Sequence, residues 1–380
     1  MSRSYGFLSS YPPTQCGLAT FTASLRAEVA NLGCDTGVVR VMAQREASAD
    51  EHVVEQMVHG EANAAKKAAV ALNAFDVAVV QHEFGIYAGD DGAQVIDVLD
   101  DLTVPSIVVL HTVLVTPTEH QRAVLEAVAR RATVLVTMTD TARGRLIASY
   151  DIDVSKIVLI PHGAPDGGAA KVRRDPPKMA AERPVLLTWG LLGPGKGIER
   201  VIDALPGLVD LVPRPLYLVV GDTHPRVVER EGERYRDSLI ARAQRLGVAD
   251  MVSFRSGYLD GASLRAITAA ADLVVLPYDS RDQVTSGVLI EAVAACRPVI
   301  ATAFAHAVEL LATGAGIVVD HDDPAALLDA IRLVLCEPAQ AAAMTAQASL
   351  LAPDLLWPAV AARYCALASD MPGARAEALA

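Results

Sequence analysis

Two short stretches carry the residue types that phosphate and sugar chemistry needs. The first is Gly190-Leu191-Leu192-Gly193-Pro194-Gly195-Lys196-Gly197, which follows the apolar run at 184–190 and leads into a helical stretch. A strand that ends in glycines and turns into a helix offers backbone N–H groups and the positive end of the helix dipole to an anion. Lys196 adds a full charge. Gly190, Gly195 and Lys196 have the spacing of a Walker A loop, but the Ser or Thr that would hold Mg²⁺ after the lysine is Gly197. The second stretch is residues 279–302, where Thr285, Ser286 and Gly287 open a helix that continues Val288-Leu289-Ile290-Glu291. Glu291 lies about one turn into that helix, among apolar neighbours. A carboxylate there can accept two hydrogen bonds from a ribose diol. Taken singly, a Gly/Pro turn with a solvated lysine and a solvated helix glutamate are the alternative readings.

The N-terminal half holds a second group of candidates. Residues 11–25 form a Pro/Gly loop entering a helix, with Gly17 and Ala19 small enough for close approach of a ligand and Cys16 beside them. His82 and Glu83 end one apolar run and His111 another, so all three are expected at strand ends; a structural histidine is the alternative for each. His224 follows a strand-like run in the C-terminal half, and His306 with Glu309 follows another. Asp151 and Asp153 resemble a metal-binding D-x-D, but they precede a strand and read as turn residues. There is no His/Cys/Asp spacing for zinc and no G-x-S-x-G elbow.

Apolar runs suited to strands recur at 5–9, 36–42, 76–82, 106–112, 133–138 and 156–163, and again at 184–190, 215–222, 251–257, 272–278, 298–302 and 315–321. Helical stretches such as 19–33, 118–132, 233–247 and 323–338 separate them. Apolar strands joined by helices imply parallel sheets covered on both faces. The Pro-, Gly- and charge-rich segment 164–184 reads as a linker. The expectation is α/β: residues 1–168 as one Rossmann-like doubly wound domain, 169–350 as a second, and 351–380 as a final helix and tail able to pack back on the first. The two domains would face a cleft at the carboxyl ends of their strands, where open α/β sheets bind ligands.

The two C-terminal stretches together resemble the family 4 glycosyltransferases, which have the two-domain GT-B fold. GLLGPGKGIERVIDAL is similar to that family's G-R-L-x-x-x-K-G loop. QVTSGVLIEAVAACRPVIATAF is similar to its E-x7-E motif and the ALA-A-G-x-PVIAT that follows, and IPHGAP to its IP-x-G segment. The resemblance runs the length of the chain. It implies that Lys196 binds a donor diphosphate and Glu291 the nucleotide ribose. Gly190 and the amides of Ser286, Gly287, Val288 and Leu289 would lie near the distal phosphate and sugar, with Gly17 close by. It also implies that His111 and Gln283 stand beside the transferred sugar, so that His111, Lys196 and Gln283 are nearest the reacting bond. Cys16, His82 and Glu83 would belong to the acceptor side. Two positions depart from the pattern: the Arg of G-R-L is Leu191, and the first Glu of E-x7-E is Gln283. A neutral amide replaces an acid, so a carboxylate cannot act there. Arg281 and Arg255 are candidates for a second cationic phosphate ligand, which the glycine loop does not supply at Leu191.

The implied activity is retaining transfer of a hexosyl unit from a nucleotide-diphosphate sugar, such as a GDP- or UDP-hexose, to a hydroxyl acceptor, with no cofactor and no metal. Two other readings fit the departures: a GT-B disaccharide phosphorylase, and a non-catalytic sugar- or nucleotide-binding relative. The 380-residue chain carries a net charge of −12, with no basic stripe for nucleic acid. Its N-terminal half is the more acidic, with Arg130, Arg131, Arg143 and Arg145 a local exception, which favours a saccharide or small metabolite over a membrane lipid as acceptor. Five cysteines without a CxxC pair, no apolar leader and no long apolar run fit a cytoplasmic protein without a transmembrane segment. Oligomeric state is open.

Overall fold

The structure is a computed structural model, described here for residues 3–46, 50–166, 183–257 and 261–371. The chain divides into two compact units, one formed by Met1–Gly163 and Trp357–Ala380, the other by Ala164–Leu356. The boundary expected at 168/169 lies outside the described residues. Residues 351–355 finish the long helix Pro338–Leu355 of the second unit, which contains Pro353. The break falls at Leu356, whose backbone is extended.

The first unit is a seven-stranded sheet built from β1 (Tyr5–Ser9), β2 (Thr36–Met42), β3 (Val53–Val58), β4 (Val77–His82), β5 (Ser106–Leu110), β6 (Val134–Thr137) and β7 (Ile157–Leu159). Their order is β3-β2-β1-β4-β5-β6-β7, with every pairing parallel. Strand β1 reads Tyr-Gly-Phe-Leu-Ser and is buried throughout. Its Tyr5 and Phe7 enter a core with Phe21 and Leu25 of the helix Gly17–Asn31 and with Trp357, Val360 and Tyr364 of the helix Trp357–Ser369. The returning C-terminal helix therefore completes one face of this sheet. Its entry is tight: a Cβ on Gly163 would lie 2.2 Å from Trp357 Cε3.

The basic run expected on this unit is largely spent on its own fold. Arg131 pairs with Asp100, and Arg143 lies 3.8 Å from Asp140. Lys156 Nζ donates to the carbonyls of Ala129, Arg130 and Ala132 at the end of the helix Glu119–Arg131. A lysine at a helix C-terminus satisfies carbonyls the helix leaves open. Asp153 accepts from the Ser155 N–H and hydroxyl, the turn role read from its position.

The second unit is a six-stranded sheet of β8 (Val185–Trp189), β9 (Leu216–Val220), β10 (Val252–Arg255), β11 (Leu273–Leu276), β12 (Val299–Thr302) and β13 (Gly316–Val319). The order is β10-β9-β8-β11-β12-β13, again parallel. Period-two alternation sorts the strands between two cores: Val185, Leu187 and Trp189 enter one, Leu186 the other. Thr188 is buried among them because its hydroxyl donates to Val275 O and accepts from Tyr217. In both sheets the first strand lies between neighbours that lead away in opposite directions, β1 between β2 and β4, β8 between β9 and β11. Ligands of open α/β sheets bind outside the carboxyl ends at such a switch point. The loops leaving those strands are the ones whose residues suggested chemistry.

Candidate active site

In the second unit the glycine loop leaves β8 and enters the helix Ile198–Ala204. Gly190, Gly195 and Gly197 have φ of 122°, 91° and 62°, a region closed to most side chains. At Gly197 a second constraint acts, because a Cβ would lie 1.7 Å from Pro277 O. The Walker hydroxyl has no room here; glycine is required by close packing of the loop on the end of β11. Gly197→Ser is therefore expected to cost more than about 3 kcal/mol, combining positive-φ strain with a backbone clash. Urea unfolding checks this, and a loss under about 1 kcal/mol would show that the loop relaxes easily.

Lys196 rises half-buried from this loop, its Nζ 4.5 Å from the Tyr278 ring centroid. Burial pulls its pKa below the usual lysine value. The Tyr278 ring face offsets part of that desolvation by attracting the cation, and leaves the ammonium donors available to an anion. Tyr278 is stacked in turn on Phe304, ring centroids 5.2 Å apart.

The helix Gly287–Ala294 begins beside the loop: a Cβ on Gly190 would be 3.9 Å from Val288 Cγ2. Ser286 caps it, its Oγ accepting the Leu289 N–H at 3.3 Å. The Ser286 N–H donates to His306 Nδ1 at 2.9 Å, and the His306 N–H to Gln283 O at 3.1 Å. Of the four amides singled out in the sequence, those of Ser286 and Leu289 are thus engaged within the protein. Those of Gly287 and Val288 have no partner among the described residues. Leu289's side chain is fully buried in the core. Gln283 Nε2 donates to Thr285 O at 2.9 Å. A glutamate there would set a carboxylate against that carbonyl, which gives the amide a local reason. Glu291 accepts from Trp189 Nε1 at 3.1 Å. Burial pushes its carboxyl up to about 7, against the lowering effect of that bond.

Leu191 leaves the loop one cation short of the family pattern. Arg281 is exposed and paired with Asp322 at 2.7 Å, and Arg200 is held by Asp279.

In the first unit, Cys16 caps the helix Gly17–Asn31. Its Sγ accepts the Ala19 N–H at 3.4 Å and lies 3.1 Å from Ser10 Oγ. Gly17 is exposed, and a Cβ there would meet nothing within 4 Å. Neither conformation nor packing demands glycine at this position, so a ligand's approach is the remaining reason. Gly17→Ala should leave thermal stability unchanged or slightly higher, by up to about 1 kcal/mol. If Gly17 admits a substrate, turnover falls at least about tenfold; unchanged turnover would remove that role.

His111 Nε2 lies 2.7 Å from Gln81 Oε1, which only a protonated Nε2 satisfies. Burial, with His162 and His82 nearby, holds His111 down to about 3, so it stays neutral. Phe21 presents its ring to His111, His162 and Trp357 at 4.9, 5.0 and 5.0 Å. Glu83 accepts from the Thr112 hydroxyl and the Phe84 N–H; burial raises its pKa. His82 is 1% exposed, edge-on to Phe84, and burial lowers it to about 4. Its ring is out of a substrate's reach, unlike the expectation from its place at a strand end.

The structure thus gathers Gly190, Lys196, Gln283, Ser286, Gly287, Val288 and Glu291 at one corner of the second sheet. Cys16, Gly17, Glu83 and His111 stand at the corresponding end of the first. Sequence reading passed over Trp189, Tyr278, Gln81 and His162. A polar residue inside an apolar run was the available signal for Gln81; the others needed the tertiary contacts. Among the described residues, no group of three or more His, Cys, Asp or Glu is arranged to hold a metal, and no helix is long and apolar enough to cross a membrane.

Two parallel-sheet units in tandem, the second with an anion-type loop at its switch point, are the two-domain GT-B fold. The family model for glycosyl transferases group 1 matches residues 171–350, within the second unit. A GDP-mannose-dependent alpha-(1-6)-phosphatidylinositol monomannoside mannosyltransferase of Mycolicibacterium smegmatis is 30% identical over 59% of this chain and 58% of its own. A D-inositol 3-phosphate glycosyltransferase of Actinosynnema mirum is 31% identical over 47% of this chain and 43% of its own. The chain thus spans about half the length of the curated relatives it matches. Among solved structures, Anabaena HepE with UDP and glucose has a TM-score of 0.77 at 16% identity, covering 97% of this chain and 100% of that one. Sucrose-phosphate synthase of Thermosynechococcus elongatus has 0.75 at 18% identity, covering 96% and 98%. At such identities the likeness is one of fold.

Proposed function

We propose that the protein is a retaining glycosyltransferase. It moves a hexosyl unit from a nucleoside diphosphate sugar, such as a GDP- or UDP-hexose, to a hydroxyl of a saccharide or small metabolite, without a metal. The observation that carries this reading is the convergence of the Lys196 ammonium, the unengaged Gly287 and Val288 N–H groups and the Glu291 carboxyl at one strand-end corner. That set of cation, donors and acceptor suits a diphosphate flanked by a ribose. Both curated relatives are named for transfer to inositol-bearing acceptors, which supports a polyhydroxylated acceptor. The free cysteines fit work in the cytoplasm.

In this reading Lys196 and the two amides stabilise charge that builds on the distal phosphate as the sugar departs through an oxocarbenium-like state. The acceptor hydroxyl attacks on the leaving group's side, and a phosphate oxygen takes its proton. Neutral His111 on the first unit and Gln283 on the second each offer hydrogen bonds of the kind sugar hydroxyls use. Gly17, Cys16 and Glu83 serve the acceptor side.

The test is a thermal-shift titration with GDP, UDP, ADP and inorganic phosphate, each with and without Mg²⁺. A ligand binding only the folded state raises the melting temperature by mass action. One nucleotide giving a clear shift that Mg²⁺ does not change is the expected result. A shift with phosphate alone would replace this reading by a phosphorylase, and no shift with any would leave a fold without a working donor site.

A further inference from the structure

We propose that His224 supplies the diphosphate contact that Leu191 lacks, its Nε2–H donating to a phosphate oxygen beside Lys196. The inference rests on the donor-site reading above and adds a residue to that site.

The loop after β9 runs on beside the loop after β8. Leu192 N–H donates to Asp222 O, and His224 N–H donates to Leu192 O, both at 2.8 Å, across a parallel bridge from Leu192 to Thr223. Lower down, a Cβ on Gly221 would lie 2.0 Å from Gly190 O, so the two backbones touch where they leave the sheet. A Cβ on Gly193 would come within 3.2 Å of Val227 Cγ2, from the first turn of the helix Pro225–Glu231. Both contacts fix His224 against the segment that carries Lys196.

The ring's protonation follows from its hydrogen bond. His224 Nδ1 accepts the Arg226 N–H at 3.1 Å, so in the neutral ring the proton is on Nε2, a donor. The charged groups around it are Arg226, Lys196 and Arg230, opposed by Glu229; burial first, then those cations, hold the imidazole below its usual pKa. A diphosphate arriving at Lys196 meets this Nε2–H donor with the ring still neutral, because Nδ1 stays engaged as the acceptor of the Arg226 N–H. Other cations are worse placed. Arg281 and Arg200 are already paired. Arg255 ends β10, with β9 between it and the glycine loop, and its carbonyl receives the Gly221 N–H.

The test is His224→Asn, measured by calorimetric titration with the nucleoside diphosphate that shifts the wild type most and with its parent nucleoside. Asparagine keeps the cap for the Arg226 N–H but is too short to reach a phosphate. The expected result is about a tenfold loss for the diphosphate and none for the nucleoside. Leu191→Arg added to His224→Asn should recover most of the affinity. Lys196→Ala is the control for the underlying reading. If it loses affinity while His224→Asn does not, or if His224→Asn weakens nucleoside and diphosphate alike, the inference is overturned and the donor site stands. If neither variant loses affinity, the donor site itself is misplaced, and the inference goes with it.

Discussion

Lys196→Ala is expected to bind a nucleoside diphosphate on the order of a hundredfold more weakly than the wild type while remaining folded. A hydrogen bond from a charged group contributes about 1.5–3 kcal/mol, and this one is made in a half-buried corner where water competes poorly. The free protein should not suffer. Burial depresses the Lys196 pKa, so the folded state is penalised wherever the lysine is charged, and relief comes only as pH rises through the lowered pKa. Lys196→Met removes that penalty and keeps a side chain against Tyr278. At pH 7 its ligand-free melting temperature should therefore equal or exceed that of the wild type, while the ligand-induced rise is lost. Lys196→Arg should not rescue binding, since a planar guanidinium over Tyr278 presents its donors in a different geometry. Wild-type affinity in the alanine variant would remove Lys196 from the donor site.

The same corner shows what was readable from sequence and what was not. The inner strands β8, β9, β11 and β12 of the second unit appear as apolar runs, because a buried parallel strand needs apolar residues on both faces, whereas edge strand β10 mixes Ser253 and Arg255 with Val252 and Phe254. Strand β3 has no such run: Glu55 and Gln56 interrupt it, as suits an edge position with one neighbour. The glycine loop and the Ser286–Glu291 helix stood out because each follows a strand at the switch point, and chain order alone places them there. The missing Walker hydroxyl at position 197 was visible in sequence. Its cause, the carbonyl of Pro277 lying where a Cβ would go, was not, since the two residues are far apart in the chain.

His82 and Gln81 show another limit. Adjacent residues of a strand point to opposite faces. Gln81 shares its face with Val79, on the side of the Phe21 core, and meets His111; His82 turns to the other side and is buried. Sequence located the end of the strand without telling which neighbour would be presented. The Phe21, His162 and Trp357 cluster lay further out of reach, because Trp357 arrives only when the chain returns after the whole second unit.

Glu291→Gln should lose nucleotide affinity and gain stability, with both effects dependent on pH. With its carboxyl near 7 in the free protein, Glu291 is mostly protonated at pH 6 and mostly ionised at pH 8. Only the ionised form accepts from both hydroxyls of a ribose diol. Nucleoside affinity in the wild type should therefore rise by up to about tenfold between pH 6 and pH 8. Using the nucleoside keeps phosphate ionisation out of the measurement, and a 2′,3′-dideoxynucleoside should show no such rise. Stability has the opposite sign. A carboxyl whose pKa is raised on folding favours the folded state below its unfolded pKa near 4.5, and that contribution is lost as pH rises through about 7. Glutamine keeps an acceptor for Trp189 Nε1 and carries no charge to desolvate. The variant should melt at the same temperature as the wild type near pH 5 and above it at pH 8, a difference on the order of 2 kcal/mol. Its nucleoside affinity should be weak and flat across the range. A wild-type affinity without pH dependence, together with a glutamine variant that binds as well, would show that the ribose is held elsewhere. The raised carboxyl would then be a cost of placing Glu291 in an apolar helix, with no return in binding.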